Sequence, residues 1–287
     1  MRPVTPREPP NLILLLYTDQ ADPVASVLLS QGARLHYEVV AMSLSQLVYE
    51  VAVGPVWKWA GRTIDPSRTA VVNRLVSIET EEGTGPLESS SQRQQFWTWL
   101  NTELQRFAYV SSMPSAVSPV GSFGSLLDQW LDLPELVRGL RVPVHRAPGT
   151  AEALCGDVHV VNPWHLYSLG RRASDEPGPI PRGHIAYARP AGMLFHVAQV
   201  GNMIIAPNAP PEMGRDQRDD VVSFTRSMAA LSGNRILEHA FFAGEGHPVF
   251  YSTCPVPVVT GRLPAYAHIV VTGLHDDIKN RSECIAA

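Results

Sequence analysis

The run Asn234–Pro257 reads NRILEHAFFAGEGHPVFYSTCPVP. Two apolar stretches, Arg235–Phe242 and Pro248–Cys254, flank Ala243-Gly244-Glu245-Gly246. Glycines on either side of one acid, between apolar runs, predict a β-hairpin. The segment before it, Arg215–Leu231, places Val221, Val222, Phe224, Thr225, Met228 and Leu231 on one helical side, and Gly233 supplies the stop. Helix, hairpin and then a proline-bounded loop is a fixed order that the remaining chain must pack around.

The N-terminal half reads as alternating strands and helices. Leu12–Tyr17 is a continuous apolar run, as in a parallel strand covered on both faces. Asp22-Pro23 then predicts an N-cap and first helical residue, with Gly32 ending the helix near Gln31. Leu35–Val40 is the second strand, which completes a βαβ unit. Ser43–Leu47 predicts a helical turn, Tyr49–Val53 and Val56–Ala60 a hairpin about Gly54-Pro55, and Ala70–Val72 a buried strand before Asn73-Arg74. Ile78–Ser91 reads as an acidic exposed loop. Gln92–Tyr109 repeats Phe96, Trp99, Leu100, Leu104 and Phe107 at helical steps. A Pro/Ser/Gly loop over Ser111–Ser122 leads to two short helices, Phe123–Leu131 and Pro134–Leu140, and a connecting strand, Val142–His145.

Further on, Asp157–Asn162 and His184–Arg189 are strand candidates, whereas Gly170–Gly183, GRRASDEPGPIPRG, reads as a loop that builds no strand. Met193–Val200 and Met203–Pro207 predict a hairpin about Gly201-Asn202. Pro264–Val271 and the following Leu274–Ile278 predict a terminal helix or two turns, and Asn280–Ala287 a tail.

Composition narrows the function. With 45% hydrophobic and 17% charged residues the chain folds rather than staying disordered. A formal charge of −4 gives no electrostatic case for nucleic acid. Leu12–Tyr17 is too short to span a membrane. Cys155, Cys254 and Cys284 share no metal-type spacing, which reads as reduced thiols in a cytoplasmic protein. Of 23 basic residues only Lys58 and Lys279 are lysines, so a site that needs lysine has few donors.

The succession of landmarks carries a resemblance. Asp22-Pro23 after the first strand, Trp57 and Trp59 in a hairpin, Asn73-Arg74 at a strand end, Met113–Pro119 in a turn-bearing loop and the connector Gly139-Leu140-Arg141-Val142-Pro143 follow one another in order. This order resembles the N-terminal domain of ATP-grasp peptide ligases of the graspetide type, which modify ribosomal peptides. The helix and hairpin of Arg215–Pro257 resemble their C-terminal core. The resemblance implies an α/β, ATP-grasp-like fold. It implies a loose arm at 1–10, an N-terminal α/β domain at 11–145, and an α+β core at 146–287 whose lid subdomain is shortened or missing.

In that family ATP phosphorylates a carboxylate, and an amine, hydroxyl or thiol attacks the acyl phosphate. Two lid lysines hold the phosphates, and an acid on one hairpin strand with Glu-x-Asn on the next holds magnesium. Here Arg146–Pro190 contains no lysine. Arg182 and Arg189, with Arg171 and Arg172, are the remaining phosphate candidates, and His196 and Arg74 are candidate ATP or substrate contacts. Solvated loop arginines and a hydrogen-bonded core histidine are the plainer accounts of most of these. On the hairpin Glu238 matches the first acid, whereas Ser252 and Cys254 stand where the family has Glu and Asn. Serine is a weak ligand and cysteine a soft one. The expectation is an ATP-grasp scaffold without cofactor or turnover, serving as a binding or partner subunit in peptide modification or natural-product biosynthesis. Its partner would be a precursor peptide or a second enzyme subunit, with Trp57, Trp59 and Trp164 as contact candidates. The alternative is an active ATP- and Mg²⁺-dependent carboxylate–amine ligase with a divergent site. A third reading uses His196, His239, His247 and Cys254 in a metal or thiol enzyme on the same hairpin.

Overall fold

In the computed structural model the described residues are 10–17, 22–75, 90–113, 124–137, 140–146, 154–163, 166, 168–175, 179–244, 246–255 and 264–286. The expected N-terminal arm apart from Pro10, Trp164, Glu245, and most of the Ile78–Ser91 and Ser111–Ser122 loops lie outside them.

The N-terminal half begins with β1 (Leu12–Tyr17) and α1 (Pro23–Gln31). Asp22 caps α1, its Oδ1 accepting from the Val24 amide at 2.9 Å. Then follow β2 (Glu38–Ser43), α2 (Leu44–Tyr49), the ribbon β3 (Trp57–Trp59) and β4 (Arg62–Ile64), and β5 (Thr69–Arg74). The long helix α3 (Ser90–Leu104) and β6 (Tyr109–Val110) complete the layer. The sheet is parallel throughout, in the order β2-β1-β5-β6. Leu14, Leu15 and Leu16 are fully buried, because a parallel sheet is covered on both faces.

Three local expectations give way here. The second strand starts at Glu38, because Ala33–Leu35 forms a 3₁₀ turn and His36 is left-handed (φ 64°). The hairpin about Gly54-Pro55 does not form. Ser43 and Gln46 make a capping box that carries α2 on to Tyr49, and the reversal falls at Ala60-Gly61, both with positive φ. Two left-handed residues match the twist of a two-residue hairpin loop, whereas Pro55 has no amide hydrogen to offer a ladder. Trp57 is core rather than surface, stacked on Trp99 and edge-on to Phe107. Trp59 is half-buried.

A single helix, α4 (Leu126–Leu136), replaces the two expected, with Pro134 carried inside its last turn. A small antiparallel sheet follows. Its strands are β7 (His145–Arg146), β8 (Val158–Val161), β9 (Arg171–Arg172) and β10 (Ile185–Ala188), in the order β7-β10-β8-β9. The connecting strand is thus His145–Arg146 rather than Val142–His145. The Pro/Gly stretch does build a strand. Gly170, at φ 70°, lies so close to the Val160 carbonyl that a Cβ would sit 2.1 Å from its oxygen, and this approach lets β9 pair with β8.

The third sheet is the anticipated pair of hairpins. It comprises β11 (Met193–Val200), β12 (Met203–Ile205), β13 (Ile236–Ala243) and β14 (Val249–Cys254), ordered β12-β11-β13-β14 and antiparallel. Between them runs α5 (Arg215–Ser232), ended by left-handed Gly233. The outer edge of β14 is covered by α4. Gln129 exchanges two hydrogen bonds with the Thr253 backbone (3.0 and 2.7 Å), and Trp130 Nε1 donates to the Tyr251 carbonyl (2.6 Å).

The chain closes with α6 (Pro264–Ala286), one helix where a tail was expected beyond Asn280. It packs on α1 and β11. Ala267, Val270, Val271, Leu274 and Ile278 share one apolar cluster with Ile13, Val24, Leu28 and Ala70 of the first sheet layer and with Val200 and Ile205 of the third. Among the described residues no helix is long and apolar enough to cross a membrane.

Arg74 and Asp22 form a buried ion pair, with Nε–Oδ2 2.6 Å and side chains 3% and 8% exposed. The Asp22→Ala variant removes this carboxylate and the α1 cap together. It is expected to lower unfolding free energy in urea by about 3–5 kcal/mol; a loss below about 1 kcal/mol would show that the pair carries no structural weight.

Candidate functional site

The alternation of β13 sorts the hairpin residues onto two faces. Phe224 of α5 makes ring contacts with His239, Phe241 and Phe250, so these point toward the helix. Glu238, Ala240 and Phe242 point the other way. In register, Glu238 lies opposite Cys254 and Ala198, and Ala240 opposite Ser252 and His196. His196, Glu238, Ser252 and Cys254 therefore share the face away from α5, and all four are buried.

His196 has a lowered pKa, because burial disfavours the imidazolium more than the nearby Glu238 carboxylate favours it. Among the described residues its buried Nδ1 has no hydrogen-bond partner, while its backbone amide donates to Asn208 Oδ1 at 2.9 Å. Ser252 Oγ donates to the Leu166 carbonyl at 2.8 Å. His239 is fully buried on the opposite face, with Nδ1 against the Thr253 hydroxyl, and burial pushes its pKa down to about 3.

A β-bulge follows Ala240. Ser252 pairs with Ala240 but Phe250 with Phe241, so Tyr251 is the extra residue of β14. The bulge comes after Glu238 and His239 and does not bring them to one face. His196 and Cys254 lie on β11 and β14 with β13 between them, about 10 Å apart at two strand spacings. His247 pairs with Asp220 at the exposed hairpin end (2.8 Å). The hairpin thus assembles no thiol–imidazole pair from these residues. Among the described residues no three His, Cys, Asp or Glu side chains converge to hold a metal.

The arginine candidates are dispersed. Arg189 reaches the hairpin, its guanidinium 5.2 Å from the Phe242 ring centroid. Arg172 pairs with Asp157 (Nε–Oδ1 2.8 Å), and Arg171 and Arg182 are exposed. Arg74 is bound to Asp22 in the first sheet layer.

The chain matches no family model, and no curated protein matches it in sequence. Solved structures do match in fold, nearly end to end. ATP-grasp ligase PsnB complexed with a minimal precursor superposes with a TM-score of 0.66 at 18% identity, covering 94% of this chain and 98% of that one. Macrocyclase MdnC of Microcystis aeruginosa MRC, bound with precursor peptide MdnA, gives 0.59 at 9% identity over 94% and 99%. The RiPP-associated ATP-grasp ligase of Chryseobacterium gregarium, in complex with ADP and a leader and core peptide, gives 0.59 at 9% over 94% and 97%.

The fold is that of the ATP-grasp ligases. Set on this ATP-grasp frame, the face holding Glu238 offers one carboxylate, one hydroxyl engaged with a carbonyl, and one buried thiol. Magnesium takes hard oxygen donors, chiefly carboxylates and water. Of the residues on this face only Glu238 is a carboxylate. What spacing did not single out are the tyrosines beside this face, Tyr187 and Tyr251, whose rings sit 5.6 Å apart. The only trace of Tyr251's role is one residue too many in β14, visible once register is known.

His239 stays neutral in the fold but protonates in the unfolded chain below about pH 6.5, so stability is expected to fall as pH drops from there toward 3. The slope contributed by this one group is at most about 1.4 kcal/mol per pH unit, and His196 adds to it with the same sign. His239→Leu should flatten the decline of the urea midpoint between pH 7.5 and 5. Parallel declines in the two proteins would assign the acid lability elsewhere.

Proposed function

We propose that this ATP-grasp-fold protein binds a ribosomally made precursor peptide in peptide modification or a related biosynthetic pathway, as a partner subunit that does not turn over ATP. One observation supports the second half of this reading: Glu238, which the resemblance sets at the family's first metal acid, shares its hairpin face with Ser252 and Cys254, and Ser252 is bonded to a backbone carbonyl. The absence of lysine between Arg146 and Pro190 points the same way. Lysine is a compact point charge suited to phosphate oxygens. The first half rests on the near end-to-end likeness to ligases solved with precursor peptides.

That same likeness favours a second reading, an active ATP-dependent carboxylate–amine ligase with a divergent site. Its phosphate contacts would come from Arg189 or Arg182, and its acid from Glu238.

Thermal unfolding with ligands separates the two. A ligand at 100 times its dissociation constant stabilises the native state by about 2.7 kcal/mol, which is a shift of several degrees for a chain of this size. The partner reading expects such a shift with a precursor peptide encoded beside this chain, and none with millimolar ATP·Mg²⁺. An ATP·Mg²⁺ shift together with peptide-dependent ADP release would establish the ligase instead. No response to the peptide would remove the peptide-binding half of both.

A further inference from the structure

The outer edge of the hairpin sheet is only partly paired. β11 runs along β13 over its whole length, Met193–Val200, but β12 pairs only with its end, Ala198–Val200. Among the described residues Met193–Val197 has no strand on its outer side.

Two bonds show which backbone groups point outward. The His196 amide donates across the edge to Asn208 Oδ1 at 2.9 Å, and the Gly201 amide donates inward to the Arg235 carbonyl at 2.7 Å. Backbone groups alternate along an antiparallel strand, so odd-numbered residues of β11 bond β13 and even-numbered ones face out. The outward groups of this stretch are the Leu194 amide and carbonyl and the His196 amide and carbonyl. Asn208 takes the His196 amide. Among the described residues the other three have no hydrogen-bond partner.

The sequence explains why β12 stops short. Its register, Ala198 with Ile205, would set Pro207 opposite His196. Proline has no amide hydrogen to give the His196 carbonyl, so the ladder ends there. The Pro207 carbonyl turns away and accepts from the Tyr266 hydroxyl at 3.4 Å. Asn208 then supplies a side-chain acceptor where a strand partner would offer a carbonyl.

Nothing in the stretch itself blunts this edge. Ala191–Val197 carries no Asp, Glu, Lys or Arg, and β11 pairs with β13 without a bulge. Charges, prolines and bulges are the usual guards of an exposed edge. Ala191, Gly192 and Met193 are exposed and Leu194 is half-buried, so the edge opens to solvent at its start.

The geometry points to the outer edge of Met193–His196 as a docking site for an extended peptide, which continues the line of β12 and pairs with the Leu194 amide and carbonyl and the His196 carbonyl. One donor and two acceptors at strand spacing match a peptide backbone. The added strand lies beside His196, on the sheet that carries Glu238. The inference rests on the peptide-binding half of the proposed function and adds where the peptide lies.

Amide hydrogen exchange on the full chain, read residue by residue by NMR, tests it. In the free protein the Leu194 amide should exchange at close to the rate of an unstructured chain, while Phe195 and Val197, bonded to β13, stay slow. A saturating precursor peptide, encoded beside this chain, should slow Leu194 by at least about fivefold, the worth of one hydrogen bond. Leu194→Pro removes the outward amide and takes no bond from the β13 ladder, a placement that an edge strand tolerates. It should weaken peptide binding by at least about fivefold, whereas Leu194→Ala, which keeps the amide, should bind as wild type does. A Leu194 amide already slow in the free protein would overturn the docking edge and leave the proposed function standing. Thermal stabilisation by the peptide with no change at Leu194 would do the same, because the peptide then binds elsewhere. Slowing that follows protein concentration alone would give the edge to a second copy of the chain, and equal losses in the two variants would trace the effect to the side chain; either result overturns the inference. A peptide that neither stabilises the protein nor slows Leu194 removes the peptide-binding reading and this site together. If Leu194→Pro does not fold, exchange at Leu194 in the wild-type protein decides alone.

Discussion

Asp277, a buried carboxylate on the last helix, ties the first sheet to the hairpin sheet. It accepts from the Tyr109 hydroxyl on β6 (2.9 Å) and from the Arg235 guanidinium at the start of β13 (Nε 3.0 Å). It also backs the turn between β11 and β12, where a Cβ on Gly201 would lie 2.8 Å from its side chain. First sheet, both hairpins and α6 meet at this one group. Removing a carboxylate from such a place leaves a cation and a hydroxyl without their partner, which costs more than the pair itself contributes. The apolar cluster of α1, α6, β1 and β11 surrounds this junction, and it gives the two halves of the chain one shared core.

With that junction set, the third sheet can present two unlike faces. The face toward α5 is closed by stacked and edge-on phenylalanines, with His239 held neutral among them. The other carries the polar residues His196, Glu238 and Ser252 beside Cys254. The bulge after Ala240 leaves this partition intact at Glu238 and changes it only at Tyr251, where an aromatic side chain turns toward Trp130 and Tyr187. Polar groups that resemble a metal site in sequence thus lie under packed side chains and a backbone segment, and their chemistry is set by burial as much as by residue type.

The elements that the sequence made legible are those with strong local signals. Asp22-Pro23 caps α1, Gly233 stops α5 in the left-handed region, and the strand pairs about Gly201-Asn202 and Gly244–Gly246 form within a residue or two of their expected bounds. Where the reading failed, a tertiary contact overrode a local preference. Gly54-Pro55 looked like a turn, but the β3–β4 ribbon turns at Ala60-Gly61, with Trp57 buried against Trp99 and Phe107. Gly170–Gly183 looked unable to form a strand, but β8 offered a paired edge and Gly170 allowed the approach. Glu238, Ser252, Cys254 and His196 stand out in the sequence one by one, and the register puts them on one face. Arg74 was visible as a strand-end arginine, with nothing to show that Asp22 binds it.

The sequence by itself determined the order of helices and strands, the α/β class, and the types of side chain on each strand of the hairpin, because capping, turn chemistry and periodicity act over a few residues. Only the tertiary structure decided which of those side chains meet. Register and the single extra residue in β14 turn Tyr251 toward the Ser168 carbonyl and Ser252 toward the Leu166 carbonyl, and set a whole strand between His196 and Cys254. Such pairings join residues far apart in the chain, and they are chosen by packing and loop closure, which leave no local mark in the sequence.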